Sequence, residues 1–256
     1  MGEAVPRHPE GSGLDARDLL VNAWPAPVLS DVQVSVPRGS VLAVLGGAEA
    51  GKSLLVEVLA GIRPLDGGTV EIAGVDVHRE PVRALRELGV HLERAGFAPW
   101  LSGREQVRLH ARLYGLPVDE TVDRATELLE RLGATAILEE YAAFAGPGGQ
   151  RALSLVLAVL HRPHVLLLDG IADDPHDVDL PAIEALIREE RGRGAAVLVT
   201  TRSAAVAARL GDRVLLLSRG RVVDTVTPAD LGADPAAALL ARLAGEGKEP
   251  PRGARP

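Results

Sequence analysis

The chain has 256 residues, 46% hydrophobic and 25% charged, with no cysteine and a formal net charge of −7. That length can bury a substantial core, either in one large domain or in a domain carrying an inserted subdomain. The absence of cysteine excludes disulfides and thiolate metal sites and is compatible with an intracellular location, while the acidic balance argues against a general nucleic-acid binder.

The opening MGEAVPRHPEGSG has no apolar stretch of the signal-peptide kind and reads as a disordered leader over 1–13. One domain is expected over 14–243, with a disordered tail over 244–256. Residues 28–45 alternate and then run apolar across the turn PRG, which predicts a hairpin feeding a buried strand from Val41 to Leu45. Residues 53–60 are apolar at helical spacing and stop before Gly61, and TVEIAGVDV predicts a short strand pair around Gly74.

From about 98 to 148 the texture changes to amphipathic helices. Ser102 and Glu105 form a capping box, and Val122, Ala125, Leu128, Leu129 and Leu132 share one helical face that ends at Gly133. Helices are then expected at 150–160, 182–191 and 203–209, alternating with strands at 165–168, 196–200 and 213–217. This alternation predicts an α/β fold, a parallel sheet covered on both faces. The core lobe would comprise 14–97 and 149–243, with 98–148 as an inserted helical subdomain. Every apolar run is far shorter than a membrane span.

Residues 46–53, GGAEAGKS, match G-x-x-x-x-G-K-[ST] in full, between an apolar strand and the helical LLVEVLA. Glycines let such a loop curl so that backbone amides and a helix N-terminus face phosphate oxygens. The candidate nucleotide-binding residues are Gly46, Gly47, Ala48, Glu49, Ala50, Gly51, Lys52, Ser53 and Leu54. Lys52 would reach the β- and γ-phosphates and the Ser53 hydroxyl would ligate Mg²⁺. Among 28 Lys and Arg residues only Lys52 and Lys248 are lysines, and Lys248 lies in the Gly/Pro-rich tail. Asp169, closing the strand VLLLD, is either the second magnesium anchor or a helix cap or turn residue. Asn22 is the only asparagine and precedes the loop, so the N-K-x-D guanine motif of a GTPase is absent. A small-molecule kinase remains an alternative.

Five stretches, in this order, carry a resemblance: VLSDVQVSVPRGSVLAVLGG, LAGIRPLDGGTVEIAGVDV, WLSGREQVRLHARLYGLP, LHRPHVLLLD and RLGDRVLLLSRGRVV. They resemble, over nearly the whole chain, the ATP-binding subunit of ABC transporters, most closely of the drug- and antibiotic-exporter type. The resemblance implies a P-loop NTPase core with a mostly parallel sheet, an antiparallel β-subdomain and an inserted α-helical subdomain. It implies ATP and Mg²⁺ as cofactors, head-to-tail pairing with a second ATP-binding subunit (homo- or heterodimer), and a separate transmembrane permease. Nucleic acid is not an expected partner. The implied location is cytoplasmic, peripheral on the inner face of the plasma membrane through the permease. Trp24 would stack on adenine or simply pack near its loop. Glu93 would touch the nucleotide and serve as a third Mg²⁺ ligand beside Ser53 and Asp169, and Gly148, Gly149 and Gln150 belong to the signature loop that meets the opposing nucleotide.

Where the resemblance fails, it fails at catalytic positions. The family glutamate that polarises the attacking water is Gly170, the switch histidine is Arg202, and the loop glutamine is Glu93. The signature reads FAGPGGQR, with Gly146 or Pro147 in place of the serine. In IADDPHD, Asp173 or Asp174 is either a stand-in for the lost base or a turn former beside Pro175. No catalytic residue of the family is intact, and general-base assistance is worth roughly 10²–10⁴ in rate. The expectation is an ATP-binding subunit that drives or regulates a permease with weak hydrolysis. The alternative is a non-hydrolysing pseudo-ATPase that supports an intact partner. Because both the glutamate and the signature are altered in one chain, robust turnover is expected only with a heteromeric partner.

Overall fold

Uninterrupted runs such as VLAVL and VLLL suit strands covered on both faces. The computed structural model describes residues 12–23, 26–93, 96–170, 173 and 180–245. In chain order it begins with β1 (Ser12–Ala23), β2 (Ala26–Pro37), β3 (Val41–Leu45), α1 (Lys52–Leu59), β4 (Gly67–Ile72) and β5 (Val75–Asp76). Then come α2 (Pro81–Arg86), β6 (Leu88–His91), α3 (Gly103–Tyr114), α4 (Val118–Arg131), α5 (Pro147–Leu160) and β7 (Val165–Leu168). The chain closes with α6 (Leu180–Gly192), β8 (Ala196–Thr201), α7 (Ala204–Leu210), β9 (Arg213–Ser218), β10 (Arg221–Val226) and α8 (Pro235–Gly245).

Two sheets result. A six-stranded sheet runs β10-β9-β3-β8-β7-β6, parallel throughout except for the antiparallel edge strand β10. A four-stranded antiparallel sheet runs β2-β1-β4-β5. The period of two along each buried strand separates the cores. Leu166, Leu168, Val197 and Val199 face the helical side with residues of α4, α5 and α6. Val165, Leu167, Ala196 and Leu198 face α1 and the antiparallel sheet. The architecture is therefore the expected α/β one, a mostly parallel sheet with an antiparallel companion.

Three local expectations change. Residues 28–37 do not form a hairpin with 41–45: β2 pairs with β1, and the PRG turn carries the chain from one sheet to the other. β1 takes in Ser12 and Gly13, which the composition places in a leader, because an antiparallel partner on each side satisfies its backbone. β6 has no counterpart in the sequence reading, since a four-residue strand is too short to show a period. The capping box forms as expected: the Glu105 N–H donates to Ser102 Oγ and the Ser102 N–H to Glu105 Oε2.

Candidate functional site

Open parallel sheets bind ligands beyond the carboxyl ends of their strands. Here β3, β8, β7 and β6 are successive neighbours, and their carboxyl ends lead to the phosphate loop, Arg202, Asp169–Gly170 and Glu93 respectively. Register brings these ends level: Leu45 pairs with Thr201, Leu168 with Val199, and His91 with Leu168. Residues far apart in the chain thus meet because parallel strands share a direction.

The phosphate loop curls tightly at its entry. A Cβ on Gly46 would lie 2.5 Å from the Leu217 carbonyl oxygen and 2.6 Å from the Ala50 Cβ, so only glycine fits. Among the described residues, no backbone oxygen accepts from the amides of Gly51, Lys52, Ser53 or Leu54, which open α1. Lys52 is 7% exposed, and its ammonium donates to the carbonyls of Gly46 (2.9 Å) and Gly47 (2.8 Å). Burial pulls the Lys52 ammonium below the usual lysine range. Asp173 opposes that shift, Arg202 reinforces it, and Asp169 and Glu93 oppose it more weakly. These five side chains form one electrostatic cluster. Glu49 and Ser53 are exposed at the loop surface.

Asp169 is buried, and its carboxylate is oriented by one bond: Thr200 Oγ1 donates to Oδ1 at 2.6 Å. The same hydroxyl accepts from the Gly170 N–H at 3.0 Å. Oδ2 of Asp169 has no hydrogen-bond partner among the described residues. Asp173 is committed elsewhere. Its Oδ1 accepts from Thr201 Oγ1 (2.8 Å) and from the Arg202 N–H (2.7 Å), and its Oδ2 pairs with Arg202 Nε at 3.0 Å. An arginine remains charged and can meet a phosphate, but it does not shuttle protons.

Gly170 has φ +64°, and a Cβ there would lie 3.6–3.8 Å from the side-chain carbons of Glu93. Glu93 is exposed and has no hydrogen bond or ion pair among the described residues. Gly148, Gly149 and Gln150 stand apart from this cluster in the first turns of α5, where Gln150 Nε2 donates to the Ala143 carbonyl at 3.0 Å. Pro147 opens that helix, a position where the missing N–H costs nothing. Trp24 and Asp174 lie outside the described residues.

Sequence reasoning missed Thr200 and Thr201, whose signal was two hydroxyls ending the apolar run AVLV. It also missed His91, whose Nδ1 lies 2.9 Å from Ser154 Oγ and so ties the strand before Glu93 to α5. Burial, helped by Arg151, lowers that imidazole to about 3 and keeps it neutral.

The set fits a magnesium nucleotide. It offers uncommitted amides at a helix start, a buried ammonium within its loop, an exposed Ser53 hydroxyl and an oriented Asp169 with one free oxygen.

Comparison with known proteins agrees with that geometry. A family model described as ABC transporter matches residues 29–172, more than half of the chain. The Fe(3+) ions import ATP-binding protein FbpC of Streptomyces coelicolor is 32% identical, over 85% of this chain and 63% of its own length. The daunorubicin resistance ATP-binding protein DrrA3 of Streptomyces coeruleorubidus is 32% identical, over 80% of this chain and 65% of its own length. The chain thus spans less than two thirds of the length of these relatives. A solved ATP binding subunit of an ABC transporter superposes with a TM-score of 0.80 at 27% identity, covering 90% of this chain and 98% of that one. A dimeric bacterial ABC transporter cassette is alike in fold, with a TM-score of 0.74 at 19% identity over 84% of this chain and 98% of its own. On the family match, with the phosphate loop and sheet order behind it, the chain belongs to the ABC transporter family and carries its ATP-binding domain.

Proposed function

We propose that this chain is the ATP-binding subunit of an ABC transporter of exporter type, binding Mg·ATP and turning it over slowly. Residues 46–54 hold the phosphates, Ser53 and Asp169 hold Mg²⁺, and Glu93 stands beside them. When bound, Mg²⁺ neutralises phosphate charge as it builds during transfer. Closure against a second ATP-binding subunit drives a separate membrane permease, which would hold the chain on the inner face of the plasma membrane. The core and helical lobes divide at about residues 98 and 148, and Gly148, Gly149 and Gln150 face the partner's nucleotide.

One observation supports this reading most directly: Lys52, Asp169, Arg202 and Glu93 converge at the carboxyl ends of four adjacent strands. The exporter assignment rests on the order of the sequence motifs and on the daunorubicin-resistance relative. No helix among the described residues is long and apolar enough to cross a membrane.

Slow turnover follows from Gly170, which leaves the position after Asp169 without a carboxylate, and from Asp173, which is tied to Arg202. The same two features support the second reading, a non-hydrolysing partner of an intact ATPase. Titration of the purified chain with Mg·ATP tests the first step. Lys52→Ala is expected to weaken binding about 10- to 100-fold, from charge-assisted bonds worth roughly 1.5–3 kcal/mol. Equal binding by both proteins, or none by either, overturns both readings. ADP release above that of Lys52→Ala then separates a slow ATPase from a non-hydrolysing partner.

A further inference from the structure

Three carboxylates act on Lys52, and their surroundings differ. Asp169 is buried, held by Thr200 and placed for a metal ion. Asp173 accepts three hydrogen bonds, two of them from Arg202, so a proton arriving there would have to break an ion pair. Glu93 alone has both oxygens open among the described residues.

Its position is specific. The Glu93 Cδ lies 3.7 Å from the point where a Cβ on residue 170 would stand, immediately after Asp169. A carboxylate thus stands beside position 170, carried from the end of β6 instead of the end of β7. A Cβ at 170 would stand in ordinary van der Waals contact with the Glu93 side chain.

We propose that Glu93 is the general base of this chain's hydrolysis, a role distinct from holding metal and resting on the ATP-binding reading above. As a water attacks the γ-phosphorus, one of its protons passes to the Glu93 carboxylate. The new P–O bond forms as the bond from the γ-phosphorus to the β–γ bridging oxygen breaks, leaving ADP and inorganic phosphate. A base placed this way requires no rearrangement of Asp173 or Arg202.

The test uses the purified chain, with Mg·ATP binding and single-turnover hydrolysis measured separately for wild type, Glu93→Gln and Asp173→Asn. Glu93→Gln is expected to slow single turnover by about 10² or more, the usual range for loss of a general base. Its affinity for Mg·ATP and its dependence on free Mg²⁺ are expected to change by less than about three-fold, since the amide keeps the shape of the side chain. In gel filtration Glu93→Gln should then carry bound ATP where wild type carries ADP. Three results overturn the proposal: a Glu93→Gln rate equal to wild type, a loss appearing wholly as weaker Mg·ATP binding, or a rate that survives in Glu93→Gln and falls in Asp173→Asn. The second outcome would make Glu93 a metal ligand only. Failure of wild type to bind Mg·ATP is a different result, which removes the ATP-binding reading and the proposal together.

Discussion

Gly170 does more at the residue scale than omit a side chain. Its φ of +64° lies in the left-handed region, where a residue with a Cβ pays about 1–2 kcal/mol. A glutamate placed there would also set a second carboxylate against Glu93, and like charges that close disfavour each other's ionised form. Gly170→Glu, the obvious reversal toward the family pattern, is therefore expected to lower stability by about 1–2 kcal/mol, readable as a drop in denaturation midpoint. It is also expected to leave turnover no faster than wild type in the same preparation. A Gly170→Glu protein as stable as wild type would show that the backbone relaxes out of the left-handed region. Gly46 is constrained for the opposite reason. There the neighbouring Leu217 carbonyl and Ala50 methyl leave no volume for a Cβ.

At the scale of elements, α3 and the end of α5 share an aromatic stack. Tyr114 lies between His110 and His161, with ring centroids 4.4 Å and 4.0 Å away. His110 Nε2 and His161 Nδ1 are buried without hydrogen-bond partners among the described residues. Burial lowers both imidazoles to about 4, reinforced at His110 by His161 and opposed at His161 by the Leu88 carbonyl and Glu87. Below the ordinary histidine value of 6.5, the unfolded chain takes up protons that the folded one refuses. The stabilisation is thus complete above pH 6.5 and is lost progressively as pH falls to about 4. Melting temperature should fall through that window. The double variant His110→Gln, His161→Gln should melt lower at neutral pH yet lose less between neutral pH and about 4. An unchanged slope would show that the imidazoles are protonated alike in both states. The capping box at Ser102 and Glu105 anchors the start of the same α3.

At the scale of the whole molecule, the nucleotide site and an apolar face lie on different elements. Leu109 and Leu113, one turn apart on α3, are 40% and 71% exposed, and Trp100 just before the helix is 74% exposed. Neighbouring exposed apolar side chains on one helix face form a patch of the kind that marks interaction sites when it is contiguous. In the proposed assembly the permease is expected on this face. Leu109→Asp with Leu113→Asp should cut the membrane-bound share of the chain by about ten-fold or more in cells that make its native partners. Mg·ATP binding by the purified variant should not change. Retention at the membrane would place the permease contact on another face.

The sequence by itself determined the parts that depend on near neighbours. GGAEAGKS between a buried strand and a helix specified the phosphate loop, and period-two and period-3.6 patterns specified most strands and helices. The helix start at Ser102 was legible from two residues three apart. Tertiary structure decided what depends on partners distant in the chain. β2 joined β1 because pairing is settled by which backbone lies alongside, and a turn such as PRG can either fold a strand back or hand it to another sheet. Asp173 was ambiguous as a letter, and became an ion-pair partner because β8 ends beside it and presents Thr201 and Arg202. Glu93 changed most. In sequence it stands 77 residues before Gly170, but adjacent parallel strands bring the two together, so a carboxylate stands beside position 170.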